Sequence, residues 1–239
     1  MMRVIINGAL GHMGREVAKK VRAGYLASEL AGEADASATP LGDITARADV
    51  IIDFSNHAAT AELLAFATAR GIPVVIATTG QTEDELALIR EAARQLPVFL
   101  SANMSLGIAV LMDVAKRAAA AFPSADIEIV ETHHNRKLDA PSGTALLLAD
   151  GLRAVRAGAA PRLGRRPGLH EPGEIPIHSL RMGDVVGEHR IYIDNGSERL
   201  ELTHTATSRA LFAEGAIACA AFLIGKPAGL YGMEDVVKL

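Results

Sequence analysis

Apolar runs set the frame of this chain. Through its first hundred residues RVIING, ADVIIDFS, IPVVIATTG and PVFLSANM recur as short, nearly continuous apolar segments rich in β-branched residues. Runs of this kind read as strands buried on both faces. Between them lie segments of helical period: GREVAKKVRA, HAATAELLAFATARG and TEDELALIREAARQ. The second ends at Gly71, a residue type that closes helices in the left-handed conformation. The third opens with Thr82 as N-cap and Glu85 three residues on, the pattern of a capping box. A weaker strand is expected in ELAGEADAS. Strands without a polar face, alternating with helices, predict an α/β fold with a doubly wound parallel sheet.

After Gly107 the rhythm changes. IAVLMDVAKRAAAAF and SGTALLLADGLRAVRAG read as helices, and ADIEIVETHHN alternates as a half-buried strand does. APRLGRRPGLHEPGEIP holds neither period and is rich in Pro, Gly and Arg, so a loop is expected there. IHSLRMGDVVGEHRIYIDNGSERLELTHTAT supplies two or three strands, with Asp194-Asn195-Gly196 as a hairpin turn. This half predicts an α+β unit with an open sheet. The tail RALFAEGAIACAAFLIGKPAGLYGMEDVV reads as helical and apolar.

Composition excludes several functions. With 239 residues, half of them apolar, the chain can build one large core or two modest ones. A net charge of −4 with interspersed acids and bases argues against nucleic-acid binding by phosphate neutralisation, and the absence of Trp removes the best stacking platform. The single cysteine, Cys219, sits in the apolar run AIACAAFLIG and reads as a core residue, so a disulfide framework is ruled out. The N-terminal apolar run is too short for a signal peptide, and no window approaches a membrane span. A soluble, cytoplasmic protein is expected.

VIINGALGHMGRE places Gly8, Gly11 and Gly14 at a strand-to-helix junction. There a glycine permits the tight turn, further glycines let a pyrophosphate approach the backbone, and the helix N-terminus faces the phosphate. This identifies a Rossmann-like dinucleotide site, spaced G-x-x-G-x-x-G rather than G-x-G-x-x-G. No G-K-[ST] follows, which disfavours a nucleoside-triphosphate loop. Such a site wants an acid at the end of the second strand for the adenosine ribose; Asp35 is preferred over Glu33 because it lies nearer the strand end. No Arg or Lys follows closely to hold a 2′-phosphate, which favours NADH, or dual use of NADH and NADPH. DFSN, with Phe54, and ATTG finish later strands at the same edge and are candidates for the nicotinamide half.

ETHHNRKLDAPSGTA packs two histidines, an Arg-Lys pair and a helix start into residues 131–145. Adjacent side chains at a strand end diverge, so His133 and His134 are not expected to share a metal, and no metal site is expected. Ser142 can cap the helix. Gly143 and Thr144 at the helix start offer backbone N–H groups to an anion, and Arg136 and Lys137 add positive charge. Histidine beside lysine beside a helix start suits an anionic substrate and proton transfer near neutral pH.

GALGHMGR, DFS, ATTG, SANMSLG, ETHHNRKLDAPSGTA, RMGDVVGEH and SRALFAEGAIACAAFLIGK together resemble the 4-hydroxy-tetrahydrodipicolinate reductase family, from end to end. The resemblance implies hydride transfer from NADH or NADPH to an unsaturated cyclic dicarboxylate in lysine and diaminopimelate synthesis. It implies His133 as acid or orienting residue and Lys137 as proton donor and substrate-binding cation. His134, Ser142, Gly143, Thr144 and Arg209 would hold the substrate. Gly8, Ala9, Gly11, His12, Met13 and Gly14 would contact the pyrophosphate, Asp35 the ribose, and Phe54, Ala77, Thr78, Thr79, Ser101, Ala102, Asn103 and Met104 the nicotinamide region. It further implies a dinucleotide-binding domain of residues 1–105 and 209–239, a substrate and oligomerisation domain of residues 106–208 with an open mixed sheet, and a homotetramer.

The sequence departs from the family pattern at His12, where many relatives carry Arg or Lys, at Ala36, where relatives have Arg, and at Met104, where many have Phe. The segments around 35–45 and 157–178 are short. Two other readings are an imino-acid or aspartate dehydrogenase and a non-catalytic NAD(H)-sensing protein. The first lacks a reason for the His-His-Lys-Ser-Gly-Thr block, and the second lacks a partner domain.

Overall fold

The computed structural model describes residues 1–165 and 167–237. The described chain divides into two compact units, residues 1–106 with 210–237, and Gly107–Arg209.

The first unit alternates as its apolar runs require: β1 (Met2–Asn7), α1 (His12–Arg22), β2 (Ser28–Ala34), β3 (Val50–Asp53), α2 (Thr60–Arg70), β4 (Val74–Ile76), α3 (Glu83–Ala92) and β5 (Pro97–Leu100). After the second unit, α6 (Ala210–Leu223), β11 (Gly229–Tyr231) and α7 (Met233–Val236) return to it. The six strands are all parallel, in the order β11-β5-β4-β3-β1-β2. Successive residues of β1 serve opposite faces. Val4 and Ile6 pack with Val17, Val21, Ile217 and Leu223 of α1 and α6. Ile5 packs with Leu63, Leu64 and Ile89 of α2 and α3. Both faces are covered, which is why these strands show no polar side. Gly71 closes α2 with φ 64°, and the Thr82–Glu85 capping box opens α3.

Helix α6 is apolar except for Glu214, which pairs with Lys20, because most of the helix is buried. A Cβ on its Gly215 would stand 1.7 Å from the Met104 carbonyl oxygen, so only glycine lets α6 lie against that backbone. β11 corrects the sequence reading, which expected only helix in the tail. Three residues between Gly225 and Gly232 show no period, and β11 is defined by pairing with β5.

The second unit carries β6 (Asp126–His133), β7 (Ala160–Leu163), β8 (Glu174–Arg181), β9 (Gly187–Asp194) and β10 (Arg199–Ala206) in a mixed sheet ordered β10-β9-β6-β8-β7. α4 (Leu106–Ala121) and α5 (Gly143–Ala154) supply Ile108, Leu111, Leu148 and Leu152 to one face of it. Ile127, Ile129, Glu131 and His133 lie at alternate positions of β6, and all four are buried. The other face, with Glu128, Val130, His178 and Tyr192, is half-buried. Residues 195–198 turn β9 into β10 at the expected hairpin. The stretch expected as a loop instead contains β7 and the start of β8. β7 escaped notice because it holds Pro161, which an edge strand tolerates on its unpaired side.

Candidate active site

In the first unit, β1 lies between β2 and β3, so the chain switches direction across the sheet at the carboxyl end of β1. Open α/β sheets bind ligands at such a point. Gly8 has φ 80°, and a Cβ there would lie 2.5 Å from the Phe54 carbonyl oxygen; a Cβ on Gly14 would lie 2.0 Å from the Gly8 carbonyl oxygen. These two glycines thus let the loop turn between β3 and α1. Gly11 and His12 are exposed. The N-cap of α1 is Gly11, which has no side chain to cap the helix, and no acid lies in the first turn. The positive pole of α1 is left for an anion, which is the cradle a dinucleotide pyrophosphate needs.

Asp35 follows the last residue of β2 and reaches back to this loop. Its carboxylate accepts from Leu10 N–H at 3.2 Å and from Ser37 N–H and O–H at 3.0 and 2.6 Å. The Ser37 and Leu10 bonds hold it below the usual carboxylate range. Glu33, the competing acid, pairs instead with Arg22. Asp53, at the end of β3, is buried and accepts from Asn7 Nδ2 at 2.8 Å, Ser55 Oγ at 2.6 Å and Thr78 Oγ1 at 2.6 Å. Burial pushes its carboxyl up despite these three donors. One side chain thereby ties together the ends of β1, β3 and β4. Sequence reading placed Asp53 in a stretch that could contact the nicotinamide half but did not foresee this tie, because a lone acid in an apolar strand declares no partners. Phe54 is half-buried, Ala9, Ala77, Thr78 and Met104 are buried, and Met13 packs on the core. Thr79 and Ala102 are exposed; Ser101 Oγ accepts Asn103 N–H and donates to its carbonyl.

In the second unit the strand period carries Glu131 and His133 to the covered face of the sheet, at the start of α5. β6 ends at His133, so His134 is the first residue beyond it rather than part of the strand. The two rings still diverge. His133 Nδ1 lies 2.5 Å from Glu131 Oε2, and its ring meets the His189 ring edge-on at 5.3 Å. His134 Nε2 lies 3.3 Å from Arg209 Nη2. Guanidinium only donates, so Nε2 accepts and Nδ1 carries the proton. Burial, then Arg136, Arg209, His133 and Lys137, lower the His134 pKa and favour the neutral ring. Among the described residues its buried Nδ1 has no hydrogen-bond partner.

Lys137 Nζ pairs with Asp139 at 2.8 Å, and Arg136 with Asp184 at 2.7 Å. Ser142 caps α5: its Oγ accepts Ala145 N–H at 3.2 Å and lies 3.0 Å from His189 Nε2. The hydroxyl is buried and already engaged twice. Gly143 is exposed, with open space where a Cβ would stand, and Thr144 is half-buried. Two residues that sequence reading did not assign complete the cluster. Glu131 is fully buried, and Arg181 grips both its oxygens at 2.7 and 2.8 Å. Only tertiary pairing of β6 with β8 brings Arg181 there. Among the described residues, no group of three or more His, Cys, Asp or Glu could hold a metal ion, and no helix is long and apolar enough to cross a membrane.

Comparison with known proteins bears on both units. The family model described as dihydrodipicolinate reductase, N-terminus, matches residues 2–104, and that described as dihydrodipicolinate reductase, C-terminus, matches residues 107–237. A 4-hydroxy-tetrahydrodipicolinate reductase of Caldanaerobacter subterraneus subsp. tengcongensis is 45% identical, covering 100% of this chain and 99% of its own. One from Anaeromyxobacter sp. (strain Fw109-5) is 41% identical, covering 100% and 98%. Among solved structures, the dipicolinate-bound dihydrodipicolinate reductase from Paenisporosarcina sp. TG-14 covers 100% of both chains with a TM-score of 0.82 and 25% identity. An aspartate dehydrogenase from Thermotoga maritima reaches a TM-score of 0.50 at 11% identity, a likeness of fold alone.

Proposed function

The chain belongs to the dihydrodipicolinate reductase family and acts as an NAD(P)H-dependent 4-hydroxy-tetrahydrodipicolinate reductase; from that premise we propose how its residues divide the work. The first unit binds the nicotinamide cofactor. Gly8, Ala9, Gly11, His12, Met13 and Gly14 hold the pyrophosphate at the start of α1, and Asp35 accepts from the ribose hydroxyls. Phe54, Ala77, Thr78, Thr79 and the turn Ser101 to Met104 take the nicotinamide half, held in register by Asp53. The nicotinamide supplies the hydride when bound.

The second unit binds the dicarboxylate. Lys137, Arg209, the neutral His134 with its spare Nδ1–H, and the backbone N–H groups of Gly143 and Thr144 provide donors for two carboxylates. Ser142 acts by capping α5, since its hydroxyl is already occupied. Lys137 delivers the proton that accompanies hydride addition, and His133 orients the reacting ring. Fixed donors aimed at developing charge are the main source of rate. The observation that carries this reading is the gathering of His133, His134, Lys137, Arg209 and the α5 N-terminus at one edge of one sheet.

NADH is used at least as well as NADPH in this reading, supported by Asp35 and by Ala36 after it. The enzyme works in the cytoplasm as a homotetramer, and the half-covered face of the second sheet supports the assembly. The test is oxidation of NADH and, separately, NADPH with substrate freshly made by condensing aspartate semialdehyde with pyruvate. Substrate-dependent oxidation is expected with NADH; no oxidation of either cofactor would overturn the reading.

A further inference from the structure

Glu131 is a buried carboxylate with every acceptor position in use. Oε1 accepts from Ser142 N–H at 3.1 Å and Arg181 Nη2 at 2.7 Å; Oε2 accepts from Arg181 Nη1 at 2.8 Å and lies 2.5 Å from His133 Nδ1. Burial favours the neutral acid, but the bonds from His133, Arg181, Ser179 and the Ser142 backbone outweigh it and hold the carboxyl far below its usual range. An ionised carboxylate only accepts, so His133 must carry its hydrogen on Nδ1. Its Nε2 is then the atom left to face the reaction. A Cβ on Gly187 would lie 3.0 Å from Nε2, and the edge-on His189 ring limits rotation of the imidazole.

We propose that Glu131 is a positioning residue that fixes the tautomer and orientation of His133, with Arg181 and the Ser142 N–H holding the carboxylate in place. The inference rests on the reading that His133 takes part in the reaction. Arg181 also donates to the Asp139 carbonyl at 2.6 Å, so the same clamp reaches the loop that carries Lys137.

Glu131→Gln tests it. The amide keeps one acceptor, which Arg181 and the Ser142 N–H claim, and turns its NH2 toward His133 Nδ1. The ring must then move its hydrogen to Nε2, the wrong tautomer. Three measurements on the full chain decide. Side-chain nitrogen NMR of the wild type, with the His133 signal assigned from its loss in His133→Asn, is expected to show a ring that carries its hydrogen on Nδ1. Glu131→Gln is expected to reverse that tautomer and lower kcat by about tenfold or more, with the NADH KM unchanged. In a His133→Asn background, Glu131→Gln is expected to cause no further loss of kcat, because a residue acting through His133 has nothing left to position.

A wild-type ring with its hydrogen on Nε2 and none on Nδ1 overturns the proposal, and this readout stands even where Glu131→Gln does not fold. So do losses that multiply in the double variant, which mark a merely structural role. If His133→Asn alone leaves kcat unchanged, the reading of His133 fails and the proposal with it. If His133→Asn lowers kcat while Glu131→Gln changes neither tautomer nor rate, the proposal fails alone.

Discussion

Ser142 Oγ lies 3.0 Å from His189 Nε2 across 47 residues of sequence, inside the second unit. His189 is buried, and burial followed by repulsion from His133 lowers its pKa to about 4, despite the opposing pull of Glu131. His204 and Lys137 add to the repulsion. In the unfolded chain the same ring takes a proton near pH 6.5. A folded pKa below the unfolded one contributes stability that is present above about pH 6.5 and is lost as pH falls toward about 4. Unfolding free energy from urea titrations should therefore drop over this range, His189 contributing up to about 1.4 kcal/mol per pH unit. His189→Gln should flatten the slope, while His134 and His204, also lowered by burial, keep part of it. An identical slope in the variant would refute this account.

Lys137→Ala removes the proposed proton donor. General acid catalysis is typically worth about 10²–10⁴-fold, so kcat should fall by that order. The dissociation constant for NADH, measured by fluorescence titration, should stay within about twofold because Lys137 lies outside the first unit. A wild-type kcat in this variant would reject the role.

Cofactor choice should follow Asp35. The wild type is expected to show a kcat/KM for NADH at least equal to that for NADPH. Asp35→Asn replaces an ionised acceptor, whose hydrogen bonds are worth about 1.5–3 kcal/mol, and should raise the NADH KM roughly tenfold or more. NADPH should suffer less, since an anion no longer faces its 2′-phosphate. A tenfold wild-type preference for NADPH would sink the assignment.

The thiol of Cys219 is fully buried beside Met233 Sδ at 3.6 Å, and burial pushes its pKa up to about 12. The thiolate is the reactive species, so the native protein should resist a disulfide-exchange reagent at neutral pH and react in full once unfolded in urea. Rapid labelling of the folded chain would show that α6 opens locally.

Much of the first unit was legible in the sequence because its constraints are local. Continuous apolar runs announce strands covered on both faces, Gly71 and Thr82 punctuate helices through their own backbone chemistry, and a glycine loop between strand and helix needs no distant partner. β7 and β11 were not legible, because strands of three or four residues gain their shape from the neighbour they pair with. His134 was expected within β6 but lies just past it, a boundary set by where the ladder to β8 and β9 stops.

The candidate site divides in the same way. The sequence alone brought His133, His134, Lys137, Ser142, Gly143 and Thr144 together, since they lie within a dozen residues, and that block carried the resemblance to the family whose models match both units. Only the tertiary structure showed what each side chain touches there. Arg181 arrives on β8, Arg209 comes from beyond β10, and His189 rises from β9 to meet the cap of α5. Glu131 stood at the head of the same block without a visible purpose. Its charge, its bonds and its hold on His133 exist only once the sheet has closed around it, because a buried carboxylate stays ionised only when distant donors converge on it.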